Sequence, residues 1–253
     1  MSSISREALL LGAPYNLSNI CKIYQLTIDE IFLADNALGL DKYYHYVNLL
    51  TLEQQDIIEI SKKKGLTVNE LENVSVFDYI MLSAQFDNNF FLDLKTALST
   101  FIKEEILISP KSKMIIVGNP KDKRIIGEKE FEELSRALRI FNKMRIKEAP
   151  PENETPMQKR FRLKREMRER VKEQQQKKQT DENNGVDFAD IMSSVCCMNV
   201  GINLLDLKKY TIYQIKTQLE RGQAREQYYT ELDMLMAGAD SKKIKPEYYV
   251  RKI

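Results

Sequence analysis

Histidine and cysteine, the residues that most often bind metals or act as nucleophiles, are scarce in this sequence. The chain has one histidine, His45, and three cysteines, Cys21, Cys196 and Cys197. One histidine cannot supply the two imidazoles of an HExxH zinc site, and no cysteine pair has zinc-like spacing. We interpret the adjacent Cys196 and Cys197 as small core residues of a helix. Because three cysteines do not form a disulfide framework, we expect a reducing cytoplasm.

Other catalytic patterns are weak or missing. A Cys–His pair of His45 with Cys21 or Cys196 stays open, although no flanking residue would lower the pKa of either thiol. The stretch IIVGNPKDKRIIG has a glycine after a β-like run, but it lacks the second glycine and the Lys-Ser/Thr pair of a phosphate loop, which favours a hairpin turn. GxSxG and GxGxxG do not occur. We therefore predict a protein that is not an enzyme and has no metal or cofactor.

A basic segment at residues 157–180, MQKRFRLKREMRERVKEQQQKKQT, could bind phosphate groups. It holds ten basic and three acidic residues, a balance of +7 in a chain of net charge +2. Such a segment would bind nucleic acid in a salt-dependent way, but Phe161 is its only stacking platform and its acids recur among its bases. We favour a charged spacer or protein-docking helix and keep nucleic-acid binding as the alternative. The candidate cations are Arg160, Arg162, Lys164, Arg165, Arg168 and Arg170.

Composition and periodicity predict the fold class. A chain of 253 residues with 43% hydrophobic and 30% charged residues is typical of a folded protein with a highly charged surface. It has no apolar run long enough to span a membrane, and its N-terminal residues are too weakly apolar for a secretory signal. We predict a mainly α protein with a small antiparallel β meander, in which two helical bodies are joined by a charged linker helix. The predicted parts are an N-terminal body at 1–147 with the meander at about 105–127, a Pro-rich then basic linker at 148–185, and a C-terminal helical domain at 186–253.

Local signals locate the elements of the N-terminal body. Thr27 and Glu30 form a capping box that predicts a helix start. LDKYYHYVNLL, TLEQQDIIEISKKKG (ending at Gly65), VSVFDYIMLSAQF and NNFFLDLKTALSTFIKEE predict further helices. EILIS, KMIIVG and KRIIG predict the three strands of the meander. The helix EKEFEELSRALRIFNKM follows, with four apolar residues on one face: Phe131, Leu134, Leu138 and Phe141.

Signals after the Pro-rich stretch predict a second group of helices. Thr155 can cap the basic helix, with Pro156 at its first position. DFADIMSSVCCMNVG predicts a helix and INLLDLKKYT a linking segment. YQIKTQLERGQAREQYYTELDMLMAGA predicts a long helix that contains Gly222. The inward residues predicted for the first of these helices are Phe188, Ile191, Met192 and Val195.

Taken together, these elements resemble the tail-assembly chaperones of long-tailed (siphovirus-type) phages and prophages of Gram-positive bacteria. The resemblance rests on IYQLTIDEIF, on the hairpin KMIIVGNPKDKRIIGEKEFEEL continuing as RALRIFNKM, and on the Pro-rich then basic linker. Its most specific part is residues 187–253, where an apolar helix, the linking segment INLLDLKKYTIYQ and a long helix ending in AG precede the tail YYVRKI. The chain departs from the family by having no Trp, which we would expect in that tail.

The resemblance implies a protein that coats the long helical tape-measure protein and recruits tail-tube subunits, in the bacterial host cytoplasm or in the virion. Helix-in-groove contacts would cover apolar stripes of the tape-measure helix. A structural protein retained in the virion, such as a neck or baseplate adaptor, is an alternative, as is a nucleic-acid-binding protein; self-association stays open. The predicted partner-binding residues, which ordinary core packing would also explain, are Tyr43, Tyr44, Tyr46, Tyr210, Ile212 and Tyr213.

Overall fold

The computed structural model of this protein is mainly α-helical with a small antiparallel β meander, as the sequence predicts, and its described residues also include a second, two-stranded antiparallel sheet. It describes residues 4–63, 74–119, 122–145, 187–199, 201–240 and 244–249, and the single positions 155, 157, 158, 160, 161, 164 and 168. The predicted helix end at Gly65, and the cations Arg162, Arg165 and Arg170, lie outside these residues.

The chain divides into two compact units. Unit 1 comprises Met1–Arg145 together with Leu205–Thr217, and unit 2 comprises Ile146–Leu204 together with Gln218–Ile253. The sequence assigns residues 205–217 to the C-terminal domain at 186–253, whereas they cluster with the N-terminal part of the chain. We call Leu205–Thr217 the connector.

The described residues of unit 1 form six α-helices of the N-terminal part and two small sheets, and the predicted elements of the meander and its flanking helices are present. The helices are α1 (Arg6–Leu10), α2 (Leu40–Leu50), α3 (Gln54–Lys63), α4 (Val76–Phe86), α5 (Asn88–Ile102) and α6 (Glu128–Phe141). The strands are β1 (Tyr15–Leu17), β2 (Cys21–Ile23), β3 (Ile106–Ser109), β4 (Met114–Val117) and β5 (Arg124–Ile126).

Helix α5 lies at the centre of unit 1, where it packs against α2, α4, β2 and β3. Asp87 begins it by accepting hydrogen bonds from the backbone N–H groups of residues 89 and 90, at 2.9 and 3.2 Å. Its buried residues recur with helical period along one face. They are Leu94, Ala97, Leu98, Phe101 and Ile102.

The meander β3–β4–β5 packs one face inward because its residues alternate with a period of two. The register pairs Ile106 with Val117 and Ile115 with Ile126, and these four side chains are buried. Helix α6 follows directly and buries Phe131, Leu134, Leu138 and Phe141, the face that its sequence predicts.

A second hairpin, β1–β2, is a feature that the sequence analysis did not predict. Its register pairs Leu17 with Cys21, and the turn between them holds Ser18 and Asn19 at φ of 45° and 60°. The Ser18 hydroxyl donates to a carboxylate oxygen of Glu133 in α6, at 2.9 Å. Three-residue strands carry too few residues for an alternating pattern, so the turn is their only sequence signal.

The described part of unit 2 pairs α7 (Phe188–Met198) with the later turns of α9 (Ile212–Met236), a helix whose first six residues belong to unit 1. Asp187 begins α7 by accepting from the N–H of Asp190 at 2.8 Å. Of the predicted inward residues of α7, Phe188 and Val195 are buried, and Ile191 and Met192 are half-buried. The one-turn helix α8 (Leu204–Leu207) lies between α7 and α9 in the chain.

Gly222 lets α7 and α9 approach closely. An ideal Cβ built at Gly222 would lie 2.8 Å from both Cβ and Sδ of Met198, and Arg225, one turn later, donates to the carbonyl oxygen of Met198. The glycine, which on propensity alone weakens a helix by about 1 kcal/mol relative to alanine, is therefore explained by this contact.

We predict that Gly222→Ala destabilises the protein, although alanine favours a helix. Met198 Cβ is tied to the backbone and cannot move aside, so we expect a loss of about 1–3 kcal/mol in the free energy of unfolding, measured by urea denaturation followed by circular dichroism. A Met198→Gly background removes both the Cβ and the Sδ that an alanine at 222 would meet, and there the same substitution should be neutral or stabilising. Equal losses in both backgrounds would contradict this explanation.

Candidate partner-binding surfaces

The connector pairs with an extended segment of unit 1 that is more than 170 residues earlier in the chain. The backbone N–H of Ile28 donates to the carbonyl oxygen of Tyr210, and that of Asp29 to Lys208, both at 2.9 Å. Thr27 and Thr211 form an antiparallel bridge within this pairing. The connector thus supplies carbonyl acceptors for two backbone N–H groups. One belongs to Ile28, just before a π-helical turn at Asp29–Leu33, and the other to Asp29, the first residue of that turn.

Two capping boxes meet at this bridge. The predicted box of Thr27 and Glu30 is present, with the Thr27 N–H donating to Glu30 Oε2 at 2.9 Å and the Glu30 N–H to Thr27 Oγ1 at 3.3 Å. The same arrangement joins Thr211 and Gln214, at 2.7 and 3.3 Å, and begins α9. The first box begins only a five-residue π turn instead of the longer helix that TIDEIFLA predicts. The second box could have been found in the sequence from the same T-x-x-Q spacing.

Glu30 is held ionised by neighbours on both sides. Burial alone would raise its pKa, but hydrogen bonds from Lys103 and Thr27 outweigh it and lower the pKa of the carboxyl. Lys103 Nζ lies 2.5 Å from Glu30 Oε1 and 4.9 Å from the centre of the Tyr24 ring. Lys103 itself ends α5 in the left-handed region, at φ 60°. The end of the central helix is thereby tied to the segment that receives the connector.

Polar side chains satisfy the buried part of the contact. The Thr211 hydroxyl donates to the Gln25 side-chain oxygen at 3.1 Å, and both residues are buried. The Gln25 amide nitrogen donates to the Leu9 carbonyl oxygen at 3.4 Å, and the Gln214 amide nitrogen to that of Leu10 at 2.7 Å. A buried amide and hydroxyl that pair with each other avoid the cost of an unmade hydrogen bond.

The connector also binds the end of α6. Lys216 Nζ donates to the carbonyl oxygen of Asn142 at 2.9 Å, and Lys143 Nζ lies 5.3 Å from the centre of the Tyr213 ring. Tyr43 of α2 donates to the Asn142 side-chain oxygen at 2.8 Å. A cation at the C-terminus of a helix is favoured by the helix dipole. We call the surface formed by residues 9–10, 25–29 and 142–143 the connector seat.

The six predicted partner-binding residues all lie in unit 1 but differ in exposure. Tyr43, Tyr46 and Ile212 are buried, and burial raises the pKa of the Tyr43 hydroxyl. Tyr44, Tyr210 and Tyr213 are half-buried. Ordinary core packing therefore accounts for Tyr43, Tyr46 and Ile212 in this structure. A partner-binding role stays a prediction for all six residues.

The cations of the basic segment that the structure describes are exposed and helical. Arg160, Lys164 and Arg168 recur every four residues and so share one side of a helix. Thr155 is the cap predicted from the sequence: its N–H donates to Gln158 Oε1 at 2.9 Å, and its hydroxyl oxygen accepts from the Gln158 N–H at 3.3 Å.

The residues that the sequence offers for catalysis differ in their surroundings. His45 Nε2 lies 3.1 Å from Asp93 Oδ2 in an exposed pair. Burial raises the pKa of the Cys21 thiol to about 11, which keeps it protonated at neutral pH. Cys196 is half-buried and Cys197 exposed, so their prediction as core residues is wrong for Cys197, which falls on the side of α7 opposite Val195. Among the described residues no group of three His, Cys, Asp or Glu side chains could hold a metal ion.

Apolar side chains are exposed on helices of both units. Leu82 and Phe86 lie one turn apart on α4, and Phe86 is 81% exposed. On α9, Met234 and Met236 are exposed. In unit 2, Tyr228, Tyr229, Tyr248 and Tyr249 form a ring cluster with centroid separations of 4.9 to 6.2 Å. None of the helices in the described ranges is long and apolar enough to cross a membrane.

Comparison with known proteins relates the C-terminal part of the chain to phages. Residues 175–253 match the family described as the YomV second domain. YomV is a protein of a Bacillus phage region, and the match indicates a phage-related protein. The matched residues include the connector, α9 and the tyrosine cluster. No curated protein and no solved structure matches the chain.

We predict that the connector contributes strongly to the stability of unit 1. Leu207 and Leu205 lie in the same helical turn, but Leu207 is 1% and Leu205 80% exposed. Leu207→Ala should cost about 2–5 kcal/mol of unfolding free energy, whereas Leu205→Ala should change it by less than about 0.5 kcal/mol. Urea denaturation of the full chain measures both, and a neutral Leu207→Ala would show that the connector is dispensable.

Proposed function

We propose that this protein is a non-enzymatic phage tail-assembly chaperone, which binds the tape-measure protein and helps to recruit tail-tube subunits. The observation that carries the proposal is the match of residues 175–253 to a phage-related domain. The resemblance to tail-assembly chaperones is most specific in nearly the same residues, 187–253, and the match supports the phage context in which such a chaperone works.

The exposed apolar residues of α4 support a contact with a helical partner. Leu82 and Phe86 are one turn apart, which is the spacing used when one helix face contacts another. A long tape-measure helix with unpaired apolar stripes would aggregate unless such surfaces covered it. We propose this pair as part of the contact. Of the predicted anchors, Tyr44, Tyr210 and Tyr213 are those that a partner reaches without opening the core.

The proposal predicts that the full chain captures a tape-measure protein. We expect the tagged chain, co-expressed with a very long helical reading frame encoded next to its gene, to retain that product in a pull-down. Leu82→Gln/Phe86→Gln should weaken capture roughly tenfold or more, because two apolar contacts of a binding centre are removed. Gln85→Ala, at an exposed polar position between them, is the matched control and should bind as the unchanged chain does.

Two outcomes would contradict the proposal. If no long helical partner is retained at low or moderate salt, the chaperone function fails. If mass spectrometry of purified particles finds the chain in stoichiometric amounts, the alternative of a structural protein retained in the virion replaces it.

Nucleic-acid binding is a second candidate because the described cations of the basic segment are exposed on one side of a helix. We expect only weak binding to random-sequence duplex DNA, unchanged in a variant with Arg160, Arg162, Arg165 and Arg168 replaced by Gln. The control replaces four exposed lysines of unit 1, Lys22, Lys42, Lys111 and Lys123, and has the same change in charge. If the arginine variant alone loses affinity, and its slope of log affinity against log salt falls by roughly three to four, the segment is a nucleic-acid arm.

A further inference from the structure

The contacts between the connector and its seat have the character of an interface within one chain. Leu207, Ile212 and Ile215 are buried, and the polar groups beside them pair with residues 25–29, 9–10 and 142–143. Every one of these contacts joins residues separated by at least 70 positions in the chain. The connector therefore docks as a segment supplied from elsewhere, and not as a continuation of the elements that it contacts.

The chain that links the connector to the rest of unit 1 is long. Arg145 and Leu205 are separated by 59 residues, which belong to unit 2. The effective concentration at which a tethered segment meets its own site falls as the tether lengthens. Because the link is long, it favours docking of the connector in the seat of its own chain only to a limited extent.

We propose that the connector seat is also an interface between copies of this chain, in which the connector of one copy docks in the seat of a second copy. Docking between copies makes the same hydrogen bonds and buries the same three apolar side chains as docking within one copy, so only the tether distinguishes them. Such exchange of an identical element is a known route by which protomers associate. In both cases a connector occupies the seat. Protein concentration determines whether that connector comes from the same copy or from a second copy. The inference rests on the contacts of unit 1 and does not depend on the proposed function.

Covalent trapping at the Thr27–Thr211 bridge tests this exchange in the full chain. One chain carries Thr27→Cys and the other Thr211→Cys, both with Cys196→Ser and Cys197→Ser. Cys21 is retained because it is buried. The two chains are refolded together from urea at about 10 μM to about 1 mM, a range that extends up to the millimolar effective concentration of linked sites, and then oxidised. Directly opposed residues of an antiparallel pair lie within the Cα separation that a disulfide requires.

We expect a disulfide-linked heterodimer whose yield rises with protein concentration and exceeds, several-fold, that of a control pair, Thr27→Cys with Lys209→Cys. A single chain with both Thr27→Cys and Thr211→Cys should oxidise to a monomer at low concentration, which verifies the geometry. A second pair, Asp29→Cys with Lys208→Cys, joined by a short bismaleimide, uses two exposed positions and leaves both capping boxes unchanged. Heterodimer yields no higher than the control for both pairs, at every concentration, would overturn the inference.

Discussion

The pairing of the connector with residues 25–29 is the interaction on which unit 1 depends. Two consecutive backbone N–H groups, of Ile28 and Asp29, and the buried amide of Gln25 all find partners in residues 208–211. An unpaired buried donor or acceptor costs about 1–3 kcal/mol, so the N-terminal 145 residues would fold at a disadvantage without it. The same segment contacts the end of α6 through Lys216, and α6 in turn contacts α2 through Asn142 and Tyr43. One short segment thereby joins residues 25–29 to the end of α6.

This arrangement changes how the phage-related match is understood. The matched residues 175–253 are contiguous in sequence, yet residues 205–217 within them complete a unit formed mostly by residues 1–145. A segment can therefore carry a specific sequence pattern because it fits another part of its own chain. For Thr211 and Ile212, packing and hydrogen bonding explain the residue types without any partner. The exposed Leu204 and Leu205, just before them, have no such explanation within the described contacts and are better candidates for an external surface.

How much of the structure the sequence predicts depends on how far apart in the chain the interacting residues are. Helices α5 and α6 were predictable because their apolar residues repeat over many positions, and the meander because β-branched runs alternate with turn-like segments. The hairpin β1–β2 was not, since three-residue strands leave only the turn at Ser18 and Asn19 as a signal. The burial of Tyr43, Tyr46 and Ile212 depends on long-range packing, and an aromatic residue in a helical pattern fits a core and a binding surface equally well. The bridge of Thr27 with Thr211 joins two recognisable capping boxes, but neither box indicates that the other is its neighbour.

The long separation between the two parts of unit 1 has a consequence during protein synthesis. Residues 1–145 leave the ribosome well before the connector does, because 59 further residues must first be translated. At ordinary rates of about 5–20 residues per second, this interval lasts about 3–12 seconds. Helices and hairpins form in microseconds, so the nascent N-terminal part has ample time to collapse with its seat vacant. Neighbouring ribosomes on one messenger RNA would hold several such chains close together. On each of them the connector seat would be unoccupied, while the chain on the ribosome ahead would already have its connector translated.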